Sequence, residues 1–318
     1  MSELAQILAA FWEAPAAVEP IAELPEWWSR HRKRISNYVS PVLQSAWAGF
    51  GFVALGHAFA SGYEVGLSTM VEGPTRIRAL CASESGGLGA SAIETELSRA
   101  GEQWCLRGKK TLVTLGSFAS ELLVVAQTGV DAKGRKRLRG VIVPADAQGV
   151  EITTLPPMPF VPEIPHASIE FHDVRVPATA VLPGDGYLRV LKPFRSVEDL
   201  HVLAALYGWW MGLVRRHDLG FEMGERVAAR LAAVLGLATI EDPLSPQLHA
   251  GLAGAFADLQ RDLEDYDAAD AWAPMDPAAR EAWMRDRALL MVAQTARYGR
   301  RDSARSALVA IRDETAAG

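Results

Sequence analysis

A short segment rich in glycine and serine is the first candidate for chemistry in this sequence. It spans residues 81–91 and reads Cys-Ala-Ser-Glu-Ser-Gly-Gly-Leu-Gly-Ala-Ser. Glycine lets the main chain approach a ligand closely, and free N–H groups together with serine hydroxyls can hold a pyrophosphate. The same residue types also form ordinary turns, so this segment alone predicts either a ligand-binding loop or a simple turn.

Three further segments follow it along the chain. Residues 104–116 read Trp-Cys-Leu-Arg-Gly-Lys-Lys-Thr-Leu-Val-Thr-Leu-Gly, residues 119–128 read Ala-Ser-Glu-Leu-Leu-Val-Val-Ala-Gln-Thr, and residues 169–177 read Ile-Glu-Phe-His-Asp-Val-Arg-Val-Pro. Short runs rich in Val, Leu, Ile and Thr, separated by glycine and polar residues, are typical of strands joined by turns. We therefore expect the first segment to lead into a β-rich region.

Together the four segments resemble the middle part of acyl-CoA dehydrogenases. Residues 83–91 are similar to the family's Thr-Glu-Pro signature with its Gly-Ser-Asp, and residues 106–116 to its Leu-Asn-Gly-Lys-Lys and Trp-Ile-Thr-Asn-Gly. Residues 171–177 nearly reproduce its Phe-Asp-Val-Arg-Val-Pro. The resemblance covers roughly residues 77–207 and implies an α+β fold, with N-terminal helices, a middle β-barrel-like domain and a C-terminal helical bundle.

The resemblance implies FAD as the cofactor. It places six residues at the flavin, which are Cys81, Ser83, Gly89, Ser91, Val113 and Thr114. Thr114 falls on the family's flavin-contacting threonine, whereas Leu112 replaces the aromatic residue that usually packs against the flavin. One expected flavin contact is therefore kept, and one is lost.

The family's reaction also needs a carboxylate that removes the proton α to the thioester while the β-hydride passes to the flavin. Neither the usual Tyr-Glu-Gly-Thr-like base loop nor the Gln-x-x-Gly-Gly flavin motif is found, which suggests a shortened, divergent member. Some branches place the base at the start of the first C-terminal-domain helix, and with Gly208 aligned, Glu198 occupies that position. Asp199 replaces the usual arginine beside it and would add repulsion. Alternatively, Glu198 and Asp199 simply favour a helix N-terminus electrostatically.

The function implied by the resemblance is oxidation of the α,β bond of an acyl-CoA thioester, with an electron-transfer flavoprotein as partner. Two alternatives stay open. One is a catalytically degenerate relative that acts as a binding or partner subunit, and the other is a flavin-dependent monooxygenase on the same scaffold. The resemblance also allows either a homo-oligomer or pairing with a full-length homologue.

The spacing of apolar residues indicates which elements position these groups. It predicts helices over residues 2–11 and 40–70 and again in four segments after residue 186, which lie at 202–214, 224–235, 248–266 and 277–311. Between them, residues 122–126 and 140–143 should form a hairpin around a charged turn. The predicted domains are 1–75 (N-terminal helices), 76–183 (β domain) and 184–318 (helical bundle).

Composition excludes several classes of function. A net charge of −6 argues against nucleic-acid binding, and the basic run at 133–139 fits a solvated hairpin loop. No apolar run reaches the ~20 residues of a membrane span. The acidic start of the chain and its two cysteines favour a cytoplasmic protein with reduced thiols. The histidine spacings do not suggest a metal site.

Overall fold

The computed structural model describes residues 2–15, 18–87 and 89–317 and divides into two compact units. The helical unit comprises Met1–Gly66, Pro159–Val161 and Ser196–Gly318, and the sheet unit comprises Leu67–Met158 and Pro162–Arg195. The helices that precede and follow the β region therefore belong to one unit. The three-domain division at residues 75 and 183 stays a prediction.

The described residues form nine α-helices. These are α1 (Glu3–Glu13), α2 (Leu24–Ile35), α3 (Pro41–Phe50), α4 (Leu55–Ser68), α5 (Lys192–His217), α6 (Phe221–Leu237), α7 (Pro246–Ala268), α8 (Pro277–Asp286) and α9 (Gln294–Ala317). Proline occupies the first turn of four of them, α2, α3, α7 and α8. Proline suits that turn because its missing N–H would have no helical partner there. Pro25, in the proline-rich stretch, thus helps to begin a helix that the spacing of apolar residues did not predict.

Two glycines allow α3 and α5 to pack closely in the helical unit. A Cβ added to Gly49 would lie 2.0 Å from the carbonyl oxygen of Ala205, and one added to Gly208 would lie 1.9 Å from that of Ala46. Both distances are far too short for a real contact, so only glycine fits at either position. Trp209 and Trp210 are buried beside these glycines and belong to the core of this unit.

The predicted helical stretch from 277 to 311 is interrupted. Helix α8 ends at Asp286, a short 3-10 turn covers Arg287–Met291, and α9 begins at Gln294. Ala293, just before α9, has a φ of +64°. Helical periodicity in the sequence identifies both helices but does not show the change of direction between them.

The sheet unit contains seven strands within the described residues. They are β1 (Arg78–Cys81), β2 (Glu96–Ala100), β3 (Gln103–Thr114), β4 (Glu121–Val130), β5 (Lys136–Pro144), β6 (Val150–Thr154) and β7 (His166–Pro177). They form one curled sheet in the order β1-β4-β2-β3-β7-β6, with β5 paired to β4. The structure thus has the expected fold class, with N-terminal helices, a middle β region and C-terminal helices.

The predicted hairpin is confirmed. Strands β4 and β5 pair antiparallel, with Leu122 opposite Val143 and Val124 opposite Val141. Asp131 shapes the turn because its carboxylate accepts hydrogen bonds from the main-chain N–H groups of Lys133 and Arg135. In the part of the chain that the structure describes, no helix is long and apolar enough to cross a membrane, and no His/Cys/Asp/Glu cluster could hold a metal.

Candidate functional site

The glycine- and serine-rich segment forms a turn that is fastened to strand β3. Glu84 and Gly87 exchange two main-chain hydrogen bonds of 3.1 and 2.8 Å, and the N–H of Thr111 donates to the carbonyl of Ser83 at 2.8 Å. Gly87 has a φ of +108°, and a Cβ added there would meet nothing within 4 Å. The segment is therefore a turn with open space on one side, and Leu88 lies outside the described residues.

A buried ion pair holds this turn in place. The Lys110 ammonium donates to Glu84 Oε1 and to the Val125 carbonyl, each at 2.6 Å. The Glu84 carboxylate also accepts from the main-chain N–H groups of Glu94 at 2.7 Å and Thr95 at 3.1 Å. The side chain of Lys110 is fully buried, and that of Glu84 is only 5% exposed. One carboxylate thus joins the turn to β3 and to the start of β2.

The environment of Glu84 changes its acidity. Burial by itself raises the pKa of this carboxyl, but the Lys110 ammonium and the two N–H donors outweigh burial and hold the pKa below its ordinary value of 4.5. Burial also lowers the pKa of Lys110, with Glu84 opposing that effect. The charged form of Glu84 is therefore favoured in the folded protein.

This lowered pKa predicts a loss of stability in acid. The unfolded chain takes up the proton first, so the contribution of Glu84 is complete above about pH 4.5 and is lost as the pH falls through the lower pKa of the folded state. Urea unfolding between pH 7 and pH 3 should show a steeper fall in the free energy of unfolding for the wild type than for Glu84→Gln. Equal slopes in the two proteins would contradict the prediction.

A β-bulge in β3 lies directly beside the turn. Lys110 pairs with Ile169 and Val113 with Ala167, so β3 holds one extra residue between these pairs. The bulge exposes Leu112, which has a φ of +53° and is 48% exposed. Bulges often re-aim side chains at functional sites. Leu112, at the position where the resemblance implies an aromatic residue, is thus presented at the surface.

Three hydroxyl groups of the sheet unit are candidates for contact with a ligand. Ser91 is exposed, while Ser83 and Thr114 are half-buried. Within the described ranges none of the three hydroxyls has a hydrogen-bond partner in the protein. Hydroxyl donors beside a glycine turn match what a flavin with its diphosphate needs. The residues therefore fit FAD, although the aromatic surface at position 112 is missing.

The other residues assigned to the flavin are placed differently. Cys81 and Val113 are buried in β1 and β3, and Gly89 is an exposed residue before the short helical turn Ala90–Ala92. Burial raises the pKa of Cys81 to about 12, so its thiol stays protonated and shielded. Any contact that Cys81 or Gly89 makes with a ligand would go through the main chain.

Glu198 lies in α5 of the helical unit, and the turn and the bulge lie in the sheet unit. Helix α5 begins at Lys192 and follows a π-helical turn over Tyr187–Leu191. The half-buried Glu198 is therefore in the second turn, where the electrostatic effect of a helix N-terminus has faded. This position weakens the interpretation that Glu198 merely stabilises a helix start.

Asp199 has a structural role that the sequence did not indicate. Its buried carboxylate accepts a hydrogen bond from Arg297 Nε at 3.0 Å and another from Arg300, and both arginines lie on α9. Two arginines therefore compensate its charge. The expected repulsion between Asp199 and Glu198 is reduced by this pairing, and Asp199 joins α5 to α9.

Replacing Asp199 with asparagine should lower the free energy of unfolding by about 2 kcal/mol, because two arginines lose their charged acceptor. Asp302→Asn is a matched control, since Asp302 is exposed on α9 and pairs with its neighbour Arg301 at 3.0 Å. Its effect should stay below about 0.5 kcal/mol. Urea unfolding measures both changes, and equal effects of the two substitutions would count against the proposed helix contact.

Sequence reasoning missed two central residues of this site, Glu84 and Lys110. Both residues lie in the segments that carry the family resemblance, residues 81–91 and 104–116. Their ion pair, however, joins positions 26 residues apart in the chain. The available signal was a glutamate beside glycines and a lysine in a strand that must bury one face. A buried lysine needs a carboxylate, and Glu84 in the turn is the one that this strand meets.

The family-model match lies mainly in the sheet unit. The family model described as acyl-CoA dehydrogenase, middle domain, matches residues 79–174. Probable acyl-CoA dehydrogenase YngJ of Bacillus subtilis is 32% identical over 111 residues, which are 34% of this chain and 28% of that protein. The 3-sulfinopropanoyl-CoA desulfinase of Paraburkholderia xenovorans is 33% identical over 99 residues, 31% of this chain and 25% of that protein. The chain thus matches little more than a quarter of these relatives.

The fold extends further than the sequence similarity. Butyryl-CoA dehydrogenase from Megasphaera elsdenii superimposes with a TM-score of 0.70 at 15% identity, covering 96% of this chain and 98% of that chain. At such identity the superposition shows the fold alone, whereas the family model identifies the domain that carries the turn and the bulge. Residues 79–174 thus match the acyl-CoA dehydrogenase middle domain, and the fold of the chain is similar to that of acyl-CoA dehydrogenases.

Proposed function

We propose that the protein is an FAD-dependent flavoprotein that oxidises the α,β bond of an acyl-CoA thioester. The observation that supports this most is the turn at Ser83–Gly87. It is fastened to the β3 bulge by the Glu84–Lys110 pair, and it lies within the domain that matches the family model. An electron-transfer flavoprotein as the electron acceptor and a cytoplasmic location belong to the same proposal.

The residues of the sheet unit would bind and orient the cofactor. The hydroxyls of Ser83, Ser91 and Thr114 would donate to it, and the Glu84–Lys110 pair would keep the turn rigid so that these donors stay in place. Bound FAD would supply the acceptor for the hydride from the β-carbon of the acyl group. Rigid donors are useful because they need no reorganisation when charge develops in the reaction.

Glu198 would supply the base. A carboxylate at this position would take the proton from the α-carbon, the step that general-base catalysis accelerates. Glu198 lies in the second turn of α5, and this position supports a role other than stabilising the start of the helix. The two arginines on Asp199 also reduce the negative charge next to it. A base beside a compensated acid is easier to keep ionised than one beside a free acid.

A second candidate is a relative that binds a CoA thioester without dehydrogenating it. The exposed Leu112 favours this reading, because an aliphatic side chain offers no aromatic surface to a flavin. The names of both matched relatives point to CoA substrates, yet one of them is a desulfinase. These names therefore support the substrate class more than the reaction.

A visible spectrum of the purified protein separates the two candidates. We expect yellow protein whose released cofactor is FAD, and bleaching of the colour under anaerobic conditions when a saturated acyl-CoA is added. Protein that stays colourless after incubation with FAD would overturn the flavoprotein proposal. Protein that holds FAD but is never bleached by any acyl-CoA would favour the binding subunit, and rapid oxygen uptake by the reduced protein would favour a monooxygenase.

A further inference from the structure

A pocket in the helical unit lies apart from the residues discussed so far. It has a volume of about 420 Å³ and lies among α2, α3 and the segment that follows α1. Its walls include Arg30, Arg34, Trp47, Phe50 and the exposed Glu19. Arg30 already donates to the main-chain carbonyl of Glu19 at 2.6 Å and pairs with the Glu26 carboxylate at 2.8 Å. The charge available to a ligand therefore comes mainly from Arg34.

Arg34 is held in this pocket by the end of α3. Its Nε donates to the carbonyl of Trp47 at 2.8 Å, and its guanidinium lies 4.4 Å from the centre of the Trp47 ring. A Cβ added to Gly51 would lie 2.1 Å from Nε, so glycine is needed to admit the arginine. These contacts fix the plane of the guanidinium but use only one of its nitrogens.

Several donors around this pocket remain without acceptors. In the described part of the chain, the buried Nη2 of Arg34 and the buried indole Nε1 of Trp47 have no hydrogen-bond partner. Burial lowers the pKa of Arg34 to about 10, and its ionisable neighbours are Tyr38 and Arg30 rather than a carboxylate. Burying a cation without a counter-charge is costly, so an anion here would be stabilising.

Arg216 adds to the positive charge at the same end of α3. A Cβ added to Gly212 would lie 2.7 Å from its Nη1 and 3.0 Å from the carbonyl oxygen of Phe50, so the guanidinium and this carbonyl are neighbours. Among the residues that the structure describes, none of the three side-chain nitrogens of Arg216 has an acceptor. The carbonyls that end α3 offset part of this charge, but they leave these donors unused.

We propose that this pocket binds a small oxyanion, either a phosphate or a carboxylate, between the guanidinium of Arg34 and the indole N–H of Trp47, with Arg30 at the rim adding positive charge. The planar guanidinium suits both groups because its N–H donors match two oxygens at once. The site lies wholly within the helical unit. The site involves neither the flavin residues nor Glu198, so its test is independent of the proposed function.

Isothermal titration calorimetry tests the site, with sodium phosphate or sodium acetate titrated into the protein at constant ionic strength maintained with chloride. We expect one binding site in the wild type, and binding about tenfold weaker or more in Arg34→Gln and in Arg30→Gln. Lys33→Gln is the matched control, because Lys33 is an exposed cation on the same helix outside the pocket lining. Glu19→Gln should tighten binding by removing the one carboxylate of the lining.

The outcomes decide the proposal in each case. Whichever anion binds more tightly identifies the class, provided that the arginine variants lose that binding. If Arg34→Gln does not fold, the anion affinities of Arg30→Gln and Glu19→Gln test the site instead. Both positions are at the rim of the pocket, so these substitutions should not prevent folding. Absence of heat with both anions in the wild type would overturn the site. So would equal affinities in the wild type and in the variants Arg30→Gln and Glu19→Gln.

Discussion

Replacing Lys110 with methionine should lower the free energy of unfolding by about 3–5 kcal/mol, because the buried carboxylate of Glu84 loses its cation. Methionine fills much of the same volume, so packing contributes little to the change. The carbonyl of Val125 also loses the donor that now lies 2.6 Å away. Urea unfolding of the purified variant measures the effect.

Two further variants control this experiment. Lys109→Met removes a neighbouring lysine that is 56% exposed and pairs with the 40% exposed Glu170, so it should cost less than about 1 kcal/mol. The double variant Glu84→Gln with Lys110→Met should recover most of the loss, because no charge is then left buried. Equal losses for Lys110→Met and Lys109→Met would show that the buried pair does not stabilise the fold.

The same pair should also matter for the cofactor. Glu84 joins the turn to the main chain of Glu94 and Thr95, and the turn carries Ser83. Lys110→Met, which removes the pair, should therefore release FAD more readily than Lys109→Met does, even at a temperature where both variants are folded. The pair thus connects a stability measurement with the proposed flavin site.

Replacing Glu198 with glutamine should reduce acyl-CoA oxidation by roughly 100- to 10,000-fold, the usual contribution of a positioned general base. Glutamine keeps the shape and the hydrogen-bonding oxygen but cannot accept the proton. FAD uptake should be unchanged, because the residues proposed to hold the flavin lie in the sheet unit. Stopped-flow measurement of flavin reduction by acyl-CoA gives the rate, and absorbance gives the bound flavin.

Glu225→Gln is the matched control for this substitution. Glu225 is an exposed glutamate on α6 of the same unit, so its loss should leave the rate unchanged. Full activity of Glu198→Gln would remove Glu198 from the proposed mechanism. Loss of flavin in Glu198→Gln alone would assign the residue to folding or cofactor retention instead of proton transfer.

The sequence predicts the order of elements well because local patterns carry that information. A period of 3.6 residues marks the helices, and short β-branched runs with turn residues mark the strands. The β4–β5 hairpin is a clear case, since two apolar runs flank a turn that Asp131 caps. The main omission is α2, whose Leu24–Ile35 segment contains five charged residues among twelve and has a proline in its first turn.

The candidate site is less readable from sequence because its key contacts join distant positions. Asp199 finds its arginines 98 and 101 residues away, and Glu84 finds Lys110 across 26 residues. Single side chains show their chemistry but not their partners. A carboxylate next to Glu198 therefore suggested repulsion in the sequence, although in the fold its charge is compensated.

By itself, the sequence determined the helix–sheet–helix order and the family resemblance, since these follow from residue types at short spacing. That resemblance in turn implied Ser83, Thr114 and Glu198 as candidates. Only the tertiary structure decided that Lys110 and Glu84 form a buried pair, that Leu112 is exposed on a bulge and that, among the described residues, the buried Nη2 of Arg34 has no hydrogen-bond partner. The physical reason is that burial and pairing depend on which distant segments the fold brings into contact.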